Sequence, residues 1–147
     1  MIIRPADLEK DALAILDGAK DFATRTPMNH LLQGDSYTDA VARIVTLPDF
    51  ELTLAEHNDV VVAGIGIFYS AFIWNPEILV AEEHFWWADK DAPYSAGFKV
   101  IKQAIKNIEE RGAIPMFKSL TTSHKGVDKV YRSLGMKPVE TLYMRVK

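Results

Sequence analysis

The pattern of apolar and polar positions divides the chain into alternating strand and helix candidates. Apolar residues recur at helical spacing from Asp7 to Phe22, from Ser36 to Thr46 and from Phe98 to Ile108. A fourth, short helix is predicted from Ser123 to Leu134, where apolar side chains fall at i, i+3, i+4 and i+7. Segments with a period of two or with β-branched runs predict strands. The predicted strands are residues 2–4, 50–56, 60–69, 78–87, 114–120 and 139–146.

The order of these elements predicts a fold class. Residues 50–69 form an antiparallel hairpin around turn residues 57–59, and residues 78–120 have the length of a parallel strand–helix–strand crossover. A hairpin that leads into such a crossover predicts an α/β fold with a mixed central sheet of about six to seven strands and helices on both faces. No linker-like run interrupts the 147 residues, so we predict a single domain over residues 1–147.

Composition and charge narrow the class of protein. The formal net charge is −3, whereas a protein that grips duplex nucleic acid usually carries a basic surplus, so that activity is disfavoured. The chain has no cysteine, which excludes disulfides and a cysteine nucleophile, and its four histidines are far apart, so no metal site is predicted. Neither a signal peptide nor a membrane span is predicted, and a cytoplasmic location is expected.

Two segments carry a resemblance to a known superfamily. Residues 123–136 place Tyr131 three positions before Leu134-Gly135, and residues 3–6 look like a matching first strand. Together with the element order, these segments resemble the GNAT (GCN5-related N-acetyltransferase) superfamily, and the Trp86-Trp87 pair is similar to its small phage-encoded members. The resemblance implies an N-acetyltransferase that moves an acetyl group from acetyl-CoA directly to an amine acceptor. It also implies the host cytoplasm, if the chain is phage-encoded, and a homodimer, which is common in the superfamily.

The resemblance assigns acetyl-CoA to one strand and the loop after it. In the superfamily, glycines let backbone N–H groups approach the pyrophosphate at a helix N-terminus. The implied contacts are Phe85, Trp86, Trp87, Ser95, Ala96, Gly97, Phe98, Lys99 and His124. Of the loop residues, only Gly97 matches a superfamily glycine, while Pro93 removes one N–H donor and Asp91 adds negative charge. An ordinary loop that caps a helix is the alternative.

Acetyl transfer requires a base for the amine and an acid for the departing thiolate. The resemblance implies Tyr131 as the acid, and the alternative is that Tyr131 only completes the apolar seam of its helix. The candidate bases are Glu82, Glu83 and His84. Regular alternation places Glu83 on the side of Phe85 and Trp87, with Glu82 on the other side, and a bulge would exchange the two glutamates.

Two functions from different classes remain open. The first is an acetyltransferase whose amine-acceptor site is built by Thr24–Gly34 and by the aromatic stretch Phe68–Trp74. The second is a non-catalytic binding or structural protein with the GNAT fold, for example a phage virion or host-interaction protein, which the eroded loop motivates. The acceptor itself stays open among protein amines, polyamines, aminoglycosides, modified nucleobases and small metabolites.

Overall fold

A computed structural model describes residues 1–118, 125–140 and 143–145 of the chain. Strands and helices follow one another in the predicted order as far as α4, with one short 3₁₀ helix (Asn29–Leu31) between the first two helices. The strands are β1 (Ile2–Pro5), β2 (Phe50–His57), β3 (Val60–Phe72), β4 (Asn75–Ala88) and β5 (Ile114–Met116). The helices are α1 (Leu8–Arg25), α2 (Gly34–Ile44), α3 (Ala96–Glu110) and α4 (Lys125–Ser133).

The strands form one mixed sheet in the order β1-β2-β3-β4-β5. The first four pair antiparallel, and β5 runs parallel to β4. The α/β class and the mixed sheet are therefore confirmed. The predicted six to seven strands are not: the described residues form five, because residues 139–140 and 143–145 of the predicted last strand belong to no helix or strand. The rest of that predicted strand lies outside the described residues.

Local sequence rules account for several boundaries. Asn58 and Asp59 have φ values of 52° and 61°, which two residues of this type tolerate in a tight hairpin turn between β2 and β3. Gly112, with φ of 69°, follows α3 where a C-terminal glycine is expected. The Asp7 side chain caps α1 by accepting from two backbone N–H groups of its first turn. The predicted start of the second helix at Ser36 is wrong, because α2 already begins at Gly34.

The sheet carries helices on both faces, as predicted, and each face has its own apolar cluster. One cluster lies under α3 and α4 and includes Ile65, Ile67, Val100, Ile101 and Ile108. The other lies under α1 and α2 and includes Ile15, Val41, Leu52, Leu54 and Trp87. Within the described ranges, no helix combines the length and apolarity needed to cross a membrane.

A buried ion cluster ties β1 and β2 to α1. The guanidinium of Arg4 donates to both carboxylate oxygens of Asp11, at 2.7 and 2.9 Å, and to Oε2 of Glu56, at 2.6 and 2.9 Å. Asp11 is 2% exposed. The hydrogen bonds from Arg4 hold the pKa of the Asp11 carboxyl below its usual range, against the effect of burial. Lys10 adds a more exposed contact to Glu56 at 3.2 Å.

Candidate functional site

The sheet opens between β4 and β5. These parallel strands pair over three positions, from Val80 opposite Ile114 to Glu82 opposite Met116. β4 then continues to Ala88, whereas β5 ends at Met116. Beyond Glu82, the backbone of β4 therefore has no strand partner on that side within the described residues. Main-chain N–H and C=O groups on such an edge are available to an extended ligand.

A bulge in β4 determines which side chains face this opening. In the pairing with β3, Phe85 lies opposite Gly66 and Glu83 lies opposite Ile67, so His84 has no partner of its own. The extra residue interrupts the regular alternation of the strand. Side chains before the bulge consequently point to the opposite face from the one that a period of two predicts.

The predicted alternation of the two glutamates is therefore wrong. Regular alternation puts Glu83 on the side of Phe85 and Trp87, but the structure puts it on the face of α3 and α4, with Trp86. Glu82 lies on the face of α1 and α2 instead, with Phe85 and Trp87. This is the exchange expected of a bulged strand, and the sequence carries no sign of where a bulge falls.

Glu83 and Tyr131 form a buried contact beside the opening. The Tyr131 hydroxyl donates to Oε2 of Glu83 at 3.3 Å and lies 3.4 Å from the carbonyl oxygen of Lys118. Glu83 is 5% exposed and Tyr131 is 7% exposed. The rings of Trp86 and Phe117 flank Tyr131, with centroids 6.3 and 5.7 Å from its ring. The fold thus joins a predicted base to the predicted acid across 48 positions of sequence.

Burial dominates the electrostatics of this pair. It raises the pKa of Glu83 to about 7, because the carboxylate loses hydration, while the hydrogen bonds from Tyr131 and from the Lys118 backbone oppose the rise. Burial also raises the pKa of Tyr131, and the charge of Glu83 raises it further. In the described part of the chain, no Lys, Arg or His lies in ion-pair contact with Glu83. A carboxyl that titrates near neutrality is suited to proton transfer at physiological pH.

The other two base candidates, Glu82 and His84, lie on the face of α1 and α2. The His84 ring sits edge-on to the rings of Phe50 and Phe68, with centroids 6.0 and 5.9 Å away. Partial burial lowers the pKa of His84, which keeps the imidazole neutral at neutral pH. Among the residues that the structure describes, only one of the three base candidates contacts the predicted acid.

The loop predicted to bind pyrophosphate leads into the N-terminus of α3. Ser95 occupies the N-cap position but makes no side-chain capping bond. The N–H of Ala96 is bonded within the preceding turn, and the N–H of Lys99 is bonded to Ser95. The N–H groups of Gly97 and Phe98 have no acceptor among the described residues. Two unpaired donors at the positive end of a 15-residue helix suit phosphate oxygens.

Trp86 links this helix end to the Glu83–Tyr131 pair. Its indole packs against Gly97, where an added Cβ would lie 3.5 Å from Nε1. The indole N–H is buried and has no hydrogen-bond partner among the described residues. Because a buried donor without an acceptor costs about 1–3 kcal/mol, this indole is a further candidate contact for a ligand oxygen.

The side chains of Phe85 and Trp87 do not reach this region. Both belong to the cluster under α1 and α2, and Trp87 fills the space beside Gly18 and Gly64, where an added Cβ would overlap its indole. Only their backbone is available to a ligand at the opening. The remaining predicted contact, His124, lies outside the described residues.

The sequence did not single out Phe117 or Lys118, which the structure places at the site. Phe117 packs on the ring of Tyr131, and the backbone of Lys118 contacts both Tyr131 and Glu83. Both residues directly follow β5, the strand that borders the opening. That position was the available signal, because residues at the carboxyl end of a parallel strand often line a binding crevice.

A second, open cleft of about 420 Å³ lies between α1 and α2. It is lined by Lys20, Ala23, Thr24, Asn29, Leu32, Gln33, Gly34, Asp35, Tyr37 and Thr38. The predicted acceptor stretch Thr24–Gly34 thus lines this cleft, whereas the aromatic stretch Phe68–Trp74 does not. Ile73 and Trp74, at the tip of the β3–β4 hairpin, are 78% and 83% exposed. Within the described ranges, no group of three His, Cys, Asp or Glu side chains is arranged to hold a metal ion.

Comparison with known proteins identifies relatives in structure only. No family model matches the chain, and no curated protein matches its sequence. A GCN5-related N-acetyltransferase from Ralstonia eutropha JMP134 superposes with a TM-score of 0.77 at 16% identity, over 99% of this chain and 97% of that one. An aminoglycoside acetyltransferase from an uncultured soil metagenomic sample gives 0.71 at 14% identity, over 99% and 97%.

A third solved structure carries a different description. A transcriptional regulator from Bacillus halodurans C-125 superposes with a TM-score of 0.75 at 18% identity, over 99% of both chains. At such low identities, the superpositions show a common fold over the whole length. They do not transfer a reaction, which must be argued from the side chains of this chain.

Proposed function

We propose that this chain, which has the fold of the GNAT acetyltransferases, moves an acetyl group from acetyl-CoA to an amine. The observation that carries the proposal is the contact between Glu83 and Tyr131 at the opening between β4 and β5. Among the described residues, Glu83 has no ion-pair partner, and burial raises its pKa to about 7, where proton transfer is efficient.

The start of α3 fits the donor. The N–H groups of Gly97 and Phe98, which have no acceptor among the described residues, would hold phosphate oxygens of acetyl-CoA, and the indole N–H of Trp86 would donate to a further oxygen. Lys99 is exposed on the first turn of α3 and adds positive charge. Asp91 opposes this charge, which makes the predicted affinity lower than a glycine-rich loop would give. When bound, acetyl-CoA supplies the electrophilic thioester carbon and the thiol leaving group.

The pair divides the proton chemistry between two atoms. Oε2 of Glu83 takes the proton that the attacking amine releases, and Oη of Tyr131 protonates the departing sulfur. Glu82 is not assigned a role, because the bulge turns it to the other face. Since Glu83 must be charged to act as base, the rate at limiting substrate is expected to rise with pH as Glu83 loses its proton near pH 7.

Binding and turnover of acetyl-CoA test the proposal together. We expect calorimetry to detect acetyl-CoA binding by the wild-type protein, and thiol release to report transfer to members of an amine panel. Tyr131→Phe should lower kcat by about 10²–10⁴-fold with little change in the Kd of acetyl-CoA. Tyr94→Phe makes the same chemical change at a fully exposed position and should leave both unchanged. Absence of acetyl-CoA binding would contradict the proposal.

A non-catalytic binding protein is the second candidate function. It is favoured by the loop itself, where Gly97 is the single superfamily glycine and Pro93 offers no N–H. This candidate predicts that acetyl-CoA, bound or not, is never consumed with any amine. If the wild-type protein transfers acetyl groups and Tyr131→Phe abolishes the transfer, the non-catalytic function is contradicted.

The open cleft between α1 and α2 is our proposed location for the amine acceptor. It lies on the other face of the sheet from Glu83, so the amine would reach the carboxylate through the opening between β4 and β5. It is lined by the predicted stretch Thr24–Gly34 and by Asp35, a carboxylate that can attract an ammonium group. Asp35→Asn is expected to raise the KM of the amine without changing the Kd of acetyl-CoA. An unchanged KM would place the acceptor elsewhere. The phage origin, the host cytoplasm and a homodimer stay predictions.

A further inference from the structure

The base and the acid of the proposed reaction touch each other. The Tyr131 hydroxyl donates directly to Oε2 of Glu83 at 3.3 Å, and both side chains are more than nine-tenths buried. Trp86 and Phe117 cover the phenol ring. A proton on one member of such a pair changes the electrostatic environment of the other, because little water is present to screen the interaction.

The direction of this influence follows from the charges. The negative charge of Glu83 raises the pKa of Tyr131, so the phenol holds its proton while Glu83 is ionised. A protonated, neutral Glu83 removes that effect and makes Tyr131 a stronger acid. Of the other elements around the pair, the end of β5 contributes the backbone and charge of Lys118, which favour the charged form of Glu83. On β4, the neighbouring ionisable groups are Glu82 and His84, which lie on the other face of the sheet.

We infer that Glu83 and Tyr131 form a proton relay with a fixed order, in which Tyr131 becomes the acid only after Glu83 has taken the proton of the amine. This inference rests on the proposed function and deepens it. The order of the two proton transfers is then set by the contact between the two side chains. Neither proton has to pass through solvent.

The steps of the relay balance in atoms, electron pairs and protons. The amine nitrogen forms a bond to the acetyl carbon, and its proton moves to the Glu83 carboxylate. The carbon–sulfur bond breaks, its electron pair stays on sulfur, and the Tyr131 proton moves to that sulfur. The proton on Glu83 then passes along the existing hydrogen bond to Oη of Tyr131. The products are an amide and a free thiol, and both side chains return to their starting protonation states.

Titration of the Tyr131 phenol tests the coupling without any reaction. Tyrosine labelled with ¹³C at Cζ would be followed by NMR at rising pH, with Tyr131→Phe to identify the signal. In Glu83→Gln, which removes the charge but keeps the shape, the Tyr131 signal should titrate at lower pH than in the wild-type protein. Glu82→Gln removes a charge one position away on the other face and should leave the titration unchanged. Identical titration in wild type and Glu83→Gln would overturn the relay.

A double-mutant cycle on acetyl transfer tests the order of the relay. Glu83→Gln and Tyr131→Phe should each lower kcat by about 10²–10⁴-fold, and the double variant should lose no more than the worse single variant. Losses that multiply would remove the relay and leave the proposed function standing. A wild-type protein that transfers no acetyl group would remove both, and the NMR titration would then describe a structural pair.

Discussion

Asp11 and Glu83 are two buried carboxylates in opposite circumstances. Asp11, on α1, is 2% exposed and accepts two hydrogen bonds from Arg4 and one from the backbone of Asp7. Glu83, on β4, is 5% exposed, and its side-chain partner is the neutral hydroxyl of Tyr131. The pKa of Asp11 is lowered, whereas burial raises the pKa of Glu83 to about 7.

The difference separates a structural carboxylate from a candidate catalytic one. Burial opposes the charge at both sites, and at Asp11 the guanidinium of Arg4 outweighs it. No cation does so at Glu83 in the described part of the chain, and its proton is therefore exchangeable near neutral pH. A buried carboxyl without a cation destabilises the fold at higher pH. This cost points to a functional role for Glu83 rather than a structural one.

Removal of the Arg4 guanidinium should leave Asp11 buried without a cation, as Glu83 is. We expect this change to have the largest effect on stability. Arg4→Met keeps much of the side-chain length but leaves Asp11 and Glu56 without their shared partner. We expect the free energy of unfolding to fall by about 3–5 kcal/mol, as for other broken buried pairs, and the pKa of Asp11 to rise. Urea unfolding at neutral pH measures the first, and NMR titration of the carboxyl measures the second. A loss no larger than a surface substitution gives would show that the cluster is not structural.

The stability contribution of Glu83 should depend on pH in the direction opposite to that of Asp11. The pKa of Glu83 is raised from 4.5 to about 7, so the folded protein binds the proton more tightly than the unfolded chain. Stability is therefore lost as pH rises from about 5 to about 7, by up to about 3 kcal/mol. Glu83→Gln should remove this loss, so that the variant gains on the wild type between about pH 5 and about pH 8.

Urea unfolding of the wild type and of Glu83→Gln, each at about pH 5 and about pH 8, measures this difference in stability. Glu82→Gln serves as the control, because Glu82 lies on the other face and does not contact Tyr131. Equal pH dependence in the wild type and in Glu83→Gln would mean that Glu83 titrates as an exposed glutamate. Asp11 cannot produce the same effect, because its lowered pKa makes stability fall as pH falls.

Local pattern was sufficient to predict most of the fold. The apolar spacing of Asp7–Phe22 gave α1, because that periodicity is what a helix on a sheet needs to bury one face. The last strand was predicted from residues 139–146, but a strand exists only through a partner, and the described residues 139–140 and 143–145 have none. Pairing is a tertiary property, which alternation alone does not determine.

The candidate site was predicted in part. Tyr131 and Glu83 were both named, and the structure brings them into contact. The face of Glu83 was predicted wrongly because one extra residue, His84, reverses the alternation, and bulges leave no pattern in the sequence. The buried indole N–H of Trp86 was also beyond prediction, since burial without a partner depends on the packing of α3 against β4.

Removal of the N-cap of α1 should cost less stability than removal of Arg4, and this difference distinguishes the ion cluster around Asp11 from the helix end beside it. Asp7 caps α1 through its side chain, and its backbone N–H donates to Asp11. Asp7→Ala removes the cap but keeps the backbone bond and the Arg4 pair. We expect a loss of about 1 kcal/mol, measured by urea unfolding, because that is the usual effect of an N-cap. A loss as large as that of Arg4→Met would mean that Asp7, and not the guanidinium, holds Asp11 in place.

The smallest effect is expected from the outermost charge of the same cluster. Lys10 contacts Glu56 at 3.2 Å, but its side chain is 59% exposed, so water and salt screen the pair. Lys10→Met preserves helix propensity and leaves Arg4 bonded to both carboxylates. We expect unfolding free energies within about 0.5 kcal/mol of the wild type, and a difference that shrinks further with added salt. A loss of several times that size would mean that the cluster needs both cations, and that a single guanidinium is not what distinguishes Asp11 from Glu83.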